Sequence, residues 1–447
     1  MINTLYLPEL REMLREQNHA ELREFCETLH PARTAEFMEG LNVDEAWQVL
    51  SHTDEGLRSQ IFSFFEQERQ VEIIATQPRE EIASLITELP HDDRVDLLAH
   101  IDEEIVEDLL ARLPSEERRD INRLRQYPEG TAGSVMTTDF AKLGETLSVS
   151  KAFEELGRQA EQLETIYYIY VVDDEDHLLG VVSTRQLVSA MGRPNEQLGE
   201  LMETNVEVCL PTDRQADVVH KVAKFDLLAI PVVDHQRRML GIITHDDIID
   251  VMAEEAAEDV YRIGAVDPLE ETYLKTSLLT LSWKRGIWLT ILFFAALLTA
   301  YAMNQYEKEL SATKWLVLFV PLVISSGGNT GNQSATLIIA ALNTGGIALR
   351  DWRRVVRREL AMGLILGTFL AIIGYVATLL KAPPDVALVI PVTLLLVVLC
   401  GTLSGALLPL LFKRLGLDPA MMSNPFVAVI VDILGIVIYM NVARLFL

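Results

Sequence analysis

The residue least at home in its surroundings is the aspartate of SNPFVAVIVDILGIVIYM, Asp432. It follows Pro425 by about two turns of an apolar helix at roughly 1.5 Å per residue, and no Lys or Arg occurs in this span before Arg444. A carboxylate at the centre of a membrane helix costs about 2.5–3.5 kcal/mol on insertion scales. Such residues usually mark an ion pathway or a proton relay. The alternative is an Asp that is protonated, or paired, and serves packing alone.

A second stretch has the same character. PLVISSGGNTGNQSATLIIAAL, Pro321 to Leu342, is mostly apolar but carries Ser325, Ser326, Asn329, Asn332, Gln333, Ser334 and Thr336, with Gly at 327, 328 and 331. At helical spacing Gly328, Asn332 and Thr336 share one face, with Asn329 beside them. Two readings apply. Small residues let a neighbouring helix approach closely, and amides inside a membrane are tolerated along a water-filled path. For Gly and Ser the two stand level; for the two Asn and the Gln the spacing favours a polar path. Asn424, Asn332 and Thr336 are the candidates for orienting the water shell of an ion at Asp432.

Carboxylates also cluster outside the apolar spans. Asp92 and Asp96 lie one helical turn apart, a like-charge spacing that costs about 0.2–0.5 kcal/mol and that a bound cation reverses. Asp247 and Asp250 are three apart, and Glu255, Glu258 and Asp259 follow on one face. Clustered carboxylates suit Mg²⁺, a hard ion that prefers oxygen and keeps much of its water. A solvated acidic face is the plainer reading of the Asp92–Asp96 pair, whereas for the denser run that ends at Asp259 the two readings stand level.

These residues need elements to hold them. The chain has 447 residues, enough for several domains, and a formal net charge of −27. The charge is unevenly divided. From Thr276 onward there are 13 Lys and Arg against 7 Asp and Glu, which leaves 25 basic and 58 acidic residues before it. So acidic a portion argues against nucleic acid or anionic lipid as its partner and for metal cations, although acidity also confers solubility. Cys26, Cys209 and Cys400 match no zinc or redox spacing, which predicts a reducing, cytosolic setting. The start, MINTLYLPELREML, lacks the pattern of a signal peptide. No nucleophile–base pair, phosphate loop or zinc signature stands out, so an enzyme is not expected.

Residues 1–128 read as an acidic, all-helical domain. LPHDDRVDLLAHI at 89–101 and LPSEERRDINRLR at 113–125 are offset by 24 residues, which predicts stacked helical hairpins. Ser115 is the expected N-cap of the later helix. YPEGTAG at 127–133 is a Pro/Gly boundary. An internal duplication follows: IYVVDDEDHLLGVVSTRQLVSAM at 169–191 parallels IPVVDHQRRMLGIITHDDIIDVM at 230–252, displaced by 61 residues, each reading strand, turn, strand, helix. Met136 and Met202 are matching residues upstream. A helix over 254–280 is expected next, with a break at Gly264–Pro268. Five apolar spans then fall near 286–306, 315–341, 358–380, 386–412 and 425–446 within 281–447. Lys284 and Arg285, the Arg350–Arg358 cluster, and Lys413 with Arg414 all fall on one side of five spans. That side is cytoplasmic by the charge rule. The loops Glu307–Lys314 and Lys381–Asp385, and the C-terminus, are then outside.

GGNTGNQSATLIIAAL and the last span resemble the MgtE-type magnesium channel and transporter family, and the resemblance covers essentially the whole chain in order. The duplication at 135–196 and 197–253 resembles a tandem pair of CBS (cystathionine-β-synthase-type) domains. The fold this implies is a multidomain membrane protein: an all-α superhelical N-terminal domain, an α/β CBS pair, a plug-like connecting helix and a transmembrane bundle of five helices. The function it implies is Mg²⁺ uptake across the cell membrane by a homodimer, gated by intracellular Mg²⁺. It places permeant-ion binding at Asp432 and sensor metal at Asp92, Asp96, Asp226, Asp247, Asp250, Glu255, Glu258 and Asp259. Asp418 would bridge through metal to the connecting helix. One departure concerns the start of the second CBS helix, where Arg214 and Ala216 stand in place of acidic residues and Asp213 and Asp217 flank them. CBS pairs often bind adenosine nucleotides such as ATP, and Tyr170 with the STRQ and THDD helix starts would line that cleft. Two other functions fit the same residues: transport of another divalent ion such as Co²⁺ or Ca²⁺, and a membrane-anchored nucleotide sensor that conducts nothing.

Overall fold

The computed structural model describes residues 5–160, 163–269, 273–380 and 386–447, the side chains of 421–424 excepted. The chain divides into two compact units, Met1–Ala253 and Glu254–Leu447.

The first unit begins with helices α1 (Leu7–Glu16), α2 (His19–Thr28), α3 (Pro31–Met38), α4 (Val43–Leu50), α5 (Glu55–Ser63), α6 (Gln67–Thr76), α7 (Arg79–Glu88), α8 (His91–Ala99), α9 (Glu103–Arg112) and α10 (Ser115–Leu124). From α3 onward each helix packs on the one two places along, α3 on α5 on α7 on α9, and α4 on α6 on α8 on α10. That is the stacked-hairpin array expected from the 24-residue offset. Helices α7, α8 and α10 each start directly after a proline, Pro78, Pro90 and Pro114. Proline can flank a helix start because the first amides have no intrahelical partner. The N-cap of α10 is therefore Pro114, and Ser115 is its first helical residue with no capping bond.

The duplicated region forms β1 (Phe140–Gly144), α11 (Val149–Gln159), β2 (Thr165–Val172), β3 (Leu178–Ser183), α12 (Thr184–Ser189), α13 (Leu198–Leu201), α14 (Gln215–Phe225), β4 (Ala229–Val233), β5 (Met239–Thr244) and α15 (His245–Ile263). The repeat survives at the level of register. Val171 pairs with Gly180 and Tyr170 with Val181; Val232 pairs with Gly241 and Pro231 with Ile242. The two glycines are required by close approach. A Cβ on Gly180 would meet the Glu203 carbonyl oxygen at 2.7 Å, and one on Gly241 the Thr137 carbonyl oxygen at 2.6 Å. Met202 and Met136 lie against the same two glycines. Each methionine thus precedes one copy and packs on the other, so the copies exchange their leading segments.

Helix α15 starts in the first unit and ends in the second. It stops at Ile263; Ala265 is left-handed (φ 56°), and among the described residues the next helix is Leu278–Asn304. The expected break at Gly264–Pro268 is present, and it ends the helix instead of interrupting it.

The second unit contains α16 (Leu278–Asn304), α17 (Glu307–Ala312), α18 (Lys314–Asn343), α19 (Trp352–Leu379), α20 (Val389–Arg414) and α21 (Pro419–Phe446). Among the described residues four helices are long and apolar enough to cross a bilayer: Leu278–Asn304, Leu349–Leu379, Val389–Arg414 and Pro425–Phe446. The remaining expected span is α18. At 30 residues it is long enough, but its Ser, Asn, Gln and Thr side chains dilute its apolarity. The expected outer loop 307–314 contains the helix α17, tied to α21 by Arg444 Nε 2.8 Å from Glu309 Oε1. The loop at 381–385 lies outside the described residues.

Helix α20 packs along α18, α19 and α21, and glycines set the spacing. A Cβ on Gly401 would lie 2.5 Å from the Gly327 carbonyl oxygen, and one on Gly405 would overlap that of Gly331. Because backbone cannot yield as a flexible side chain can, Gly405→Leu is expected to lower stability by about 1–3 kcal/mol or more. Thermal unfolding in detergent should show it, with Gly192→Ala, whose added methyl meets open space, as an unaffected control.

Candidate metal centre and ion pathway

The stretch 321–342 forms the middle and end of α18, and its small and polar residues divide between two stripes. Gly327, Gly331 and Ser334 are buried. A Cβ on Gly327 would meet Val397 and Val431, and one on Gly331 would meet Val427 and the Gly401 carbonyl. This stripe is helix packing. The neighbouring stripe faces the carboxylate: a Cβ on Gly328 would lie 3.9 Å from Asp432 Oδ1. One turn on from Gly328, Asn332 has its Oδ1 buried with no hydrogen-bond partner. Asp432 is half-buried on α21. Thr336 and Asn329 are exposed, and Asn329 Nδ2 donates to Ser325 Oγ at 3.2 Å. The side chain of Asn424 lies outside the described residues.

In the first unit, Asp92 and Asp93 on α8 meet Asp246 and Asp247 at the start of α15 and Glu164 just before β2. Asp247 Oδ2 accepts from Thr244 Oγ1 at 2.5 Å, which fixes it at the helix start. Burial raises Asp92 well above the usual carboxylate range, and the charge of Asp247 adds to the rise. Burial also raises Asp247. Loss of hydration, then the facing Asp247, push Asp93 up to about 6 and Glu164 up to about 7. Asp92 Oδ1 is buried without a partner. Asp96, which accepts from Gln67 Nε2 at 3.3 Å, and Asp250, whose charge acts on Asp93, are exposed at the edge. Asp226 stands outside this group, exposed at the left-handed C-cap of α14 (φ 50°).

Among the described residues no three His, Cys, Asp or Glu side chains converge as ligands of a bare metal ion would. The donors are nevertheless all oxygen, several are raised by burial and then by one another's charge, and one buried oxygen has no partner. That set fits an ion that keeps its water shell, as Mg²⁺ does.

The second unit holds the rest of the acidic face. Arg262 Nη2 is 2.5 Å from Glu258 Oε2, and its Nη1 donates to Asp418 Oδ2 at 2.8 Å. The guanidinium therefore stands between the two carboxylates, where a bridging metal was expected. Asn343 Nδ2 donates to Asp259 Oδ2 at 2.7 Å, joining α15 to the end of α18. Burial raises Asp259 above the ordinary range. Glu255 lies on the same helix, α15.

Comparison with known proteins follows the same division. The MgtE divalent cation transporter family matches residues 320–442, its intracellular N domain matches 29–130, and CBS domains match 132–193 and 198–254. The magnesium transporter MgtE of Thermus thermophilus is 40% identical over 330 residues, covering 74% of this chain and 73% of that protein. The chain belongs to the MgtE family. The Enterococcus faecalis magnesium transporter MgtE is 34% identical over 334 residues, covering 74% and 73%. Among solved structures, the soluble part of a magnesium transporter aligns with a TM-score of 0.53 at 33% identity, covering 56% of this chain and 98% of that one. The cytosolic domain of the Mg²⁺ channel MgtE in complex with ATP aligns at 0.52 and 32% identity, covering 54% and 98%. The chain is thus a membrane transporter of the MgtE type.

In this MgtE chain the cleft of about 500 Å³ at the duplication is lined by Glu164, Thr165, Ile166, Tyr167, Leu228, Thr244, His245 and Asp246, so the THDD helix start borders it. The STRQ start is closed by a capping box between Ser183 and Gln186. Tyr170 is 1% exposed, packs edge-on against Phe140, and has an unpartnered Oη. Of the residues flanking Arg214, Asp213 Oδ2 is engaged by Lys221 Nζ at 3.2 Å, and Asp217 lies in the first turn of α14.

Several residues of the site carry no signal in the sequence. Asp93 and Glu164 join the cluster only through tertiary packing. His91 places Nδ1 2.6 Å from Asp120 Oδ2 and Nε2 3.1 Å from Asp139 Oδ2, and so ties α8 to α10 and to the start of the duplication. Its contact holds Asp120 below the usual carboxylate range despite burial. Buried Arg94 pairs with Glu117 beside it. Together they hold the Asp92 face against Asp247. Asp93 and Glu164 bind protons more tightly folded than unfolded. In EDTA, stability of the first unit should be full below the ordinary carboxylate range and fall as pH rises through about 6 and about 7. Hydrogen exchange on α8 against pH checks this. Asp247→Asn should flatten the profile, and a flat wild-type profile would contradict the clustering.

Proposed function

We propose that this chain conducts Mg²⁺ across the cell membrane as a homodimer, with Asp432 in the conduction path. The observation that carries the reading is the half-buried Asp432 beside Gly328, with the unpartnered Asn332 oxygen one turn along. A second copy would add a second carboxylate, and two carboxylates favour a divalent over a monovalent cation. Asn332, Thr336 and Asn424 would orient the ion's waters. The relatives named as magnesium transporters support Mg²⁺ as the ion. In this reading five helices span the bilayer, α18 among them, with the N-terminal domains cytoplasmic and the C-terminus outside.

The acidic cluster is the proposed sensor. Asp92, Asp96, Asp247 and Asp250 would hold hydrated Mg²⁺ between the helical array and the CBS pair, with Asp93 and Glu164 adding charge. Glu255, Glu258 and Asp259 would extend it along α15, and Asp226, at the C-cap of α14, would hold metal apart from this group. Metal removes the repulsion and favours the closed arrangement; without it the carboxylates push apart. An adenosine nucleotide is the ligand class proposed for the CBS cleft, supported by the ATP complex of the related cytosolic domain.

Influx into proteoliposomes tests conduction. Wild type should take up Mg²⁺ with the cytosolic face at low Mg²⁺, and Asp432→Ala should not, at equal folded protein. Equal influx in both would sink the pathway, and preference for Co²⁺ or Ca²⁺ in competition would replace the ion. Nucleotide binding with no flux of any ion would favour the non-conducting sensor. For gating, Arg262 is the informative residue. Arg262→Gln removes the built-in cation between Glu258 and Asp418, so flux at low cytosolic Mg²⁺ should rise and closure should depend more steeply on added Mg²⁺. An unchanged titration would remove this contact from the gate.

A further inference from the structure

One buried acid takes no part in the mechanism above. Glu359, on α19 among the membrane helices, is 8% exposed. Its Oε2 accepts a hydrogen bond of 2.7 Å from Ser334 Oγ on α18, itself 5% exposed. An ionisable residue buried among membrane helices is costly and usually functional.

The surroundings define what this bond can do. Both α18 and α19 pack along α20 through glycines. On the α18 side these are Gly327 and Gly331 against Gly401 and Gly405; on the α19 side, Gly363 meets Thr402 and Gly367 meets Leu395. Gly363 lies one turn beyond Glu359, on the same face of α19. A Cβ on Gly405 would also approach Ser334 Cβ at 3.0 Å. The bond therefore joins two helices that share α20 as their neighbour, beside its Gly405 notch.

Glycine seams favour one face of the helix but carry no directional bond against its rotating or sliding. A directional side-chain bond does stop it, and no water competes for it within the bilayer. Ser334 belongs to the packed stripe of α18, and Gly328 and Asn332 belong to the next stripe, about 100° around the helix at 3.6 residues per turn. A turn of α18 by one residue would replace the stripe beside Asp432 with the packing stripe.

We propose that Glu359 is a positioning residue for the ion pathway: through Ser334 it fixes the rotation of α18 and so keeps Gly328, with Asn332 one turn on along the same stripe, toward Asp432. The inference rests on the conduction reading above. It makes the carboxyl a hydrogen-bond acceptor, not a station for the ion.

The test uses the full chain with two readouts: Mg²⁺ influx into proteoliposomes, and Mn²⁺ binding followed by electron paramagnetic resonance, with Asp432→Ala defining the pathway site. Ser334→Ala and Glu359→Leu should each weaken the Asp432-dependent site and raise the half-saturating Mg²⁺ for influx by about three- to twentyfold, the range for one interhelical membrane bond. The double variant should be no worse than the more impaired single one. Glu359→Gln, whose amide oxygen still accepts from Ser334, should stay close to wild type. Ser334→Ala removes only a hydroxyl, so it reads the bond even where Glu359→Leu does not fold. Wild-type behaviour in Ser334→Ala would overturn the proposal. So would a loss in Glu359→Gln as large as in Glu359→Leu, which would make the charge itself the requirement. Equal influx and Mn²⁺ binding in wild type and Asp432→Ala would instead overturn the conduction reading, and with it any pathway to position.

Discussion

A carboxylate taken out of water must be neutralised or hydrogen-bonded, and this chain meets that constraint differently at each place it arises. At Glu258 and Asp418 a guanidinium lies between the two acids. At Glu359 a serine hydroxyl supplies the donor. At Asp92 and Asp247 the partner is another acid, and the conflict appears as raised proton affinity and an unpaired oxygen. At Asp432 the helix itself offers no basic residue before Arg444. The first two solutions are complete within the chain. The last two are not, and an incomplete solution leaves room for a cation from outside.

The fold creates these situations by bringing backbones unusually close. Gly180 and Gly241 let the leading segment of each CBS copy cross onto the other, and the exchange interlocks the pair that carries Glu164 and Asp247. In the membrane unit, Gly327, Gly331, Gly401 and Gly405 bring α18 and α20 into backbone contact. Association there gains little from the hydrophobic effect, because lipid is as apolar as leucine, and close packing takes its place. Tight seams leave few directions for a side chain to point. Gly328 and Asn332 sit on the stripe left open toward Asp432 because the adjacent stripe is filled.

What could be read from the sequence was whatever is periodic or out of place. The 61-residue displacement predicted paired strands that the register reproduces residue for residue. The helical restarts after proline predicted the stacked array. Asp432 and the amides of α18 stood out because polar groups are rare in apolar runs, and those same amides keep α18 below the apolarity of its neighbours. Residues with an ordinary local context were not legible. Asp93 looks like one more acid on a solvated turn, Glu164 like part of a connection, and Glu359 like the companion of the nearby arginines. Arg262 could not be foreseen between Glu258 and Asp418, because Asp418 is distant in sequence and reaches it only through the packing of α15 against α21. Helix limits failed for local reasons, as where Pro114 displaces Ser115 from the cap and where the helix expected over 254–280 ends at Ile263.

The spacing of the carboxylates bears on which cation such a site can take. A bare ion needs several oxygens on one small sphere, and among the described residues no three acidic, imidazole or thiol groups are so arranged. Acids spread over α8, α15 and the entry to β2 instead suit an ion that keeps its own water and is held at one remove. Two unit charges 4 Å apart interact by about 4 kcal/mol at the effective dielectric near a protein surface. Relief of a few such repulsions is comparable with the energy needed to move a two-state equilibrium decisively. A hydrated ion can supply that relief without forming a tight cage. Weak, plural contacts of this kind would let a sensor release its ion when the concentration falls, which a closed coordination shell would resist.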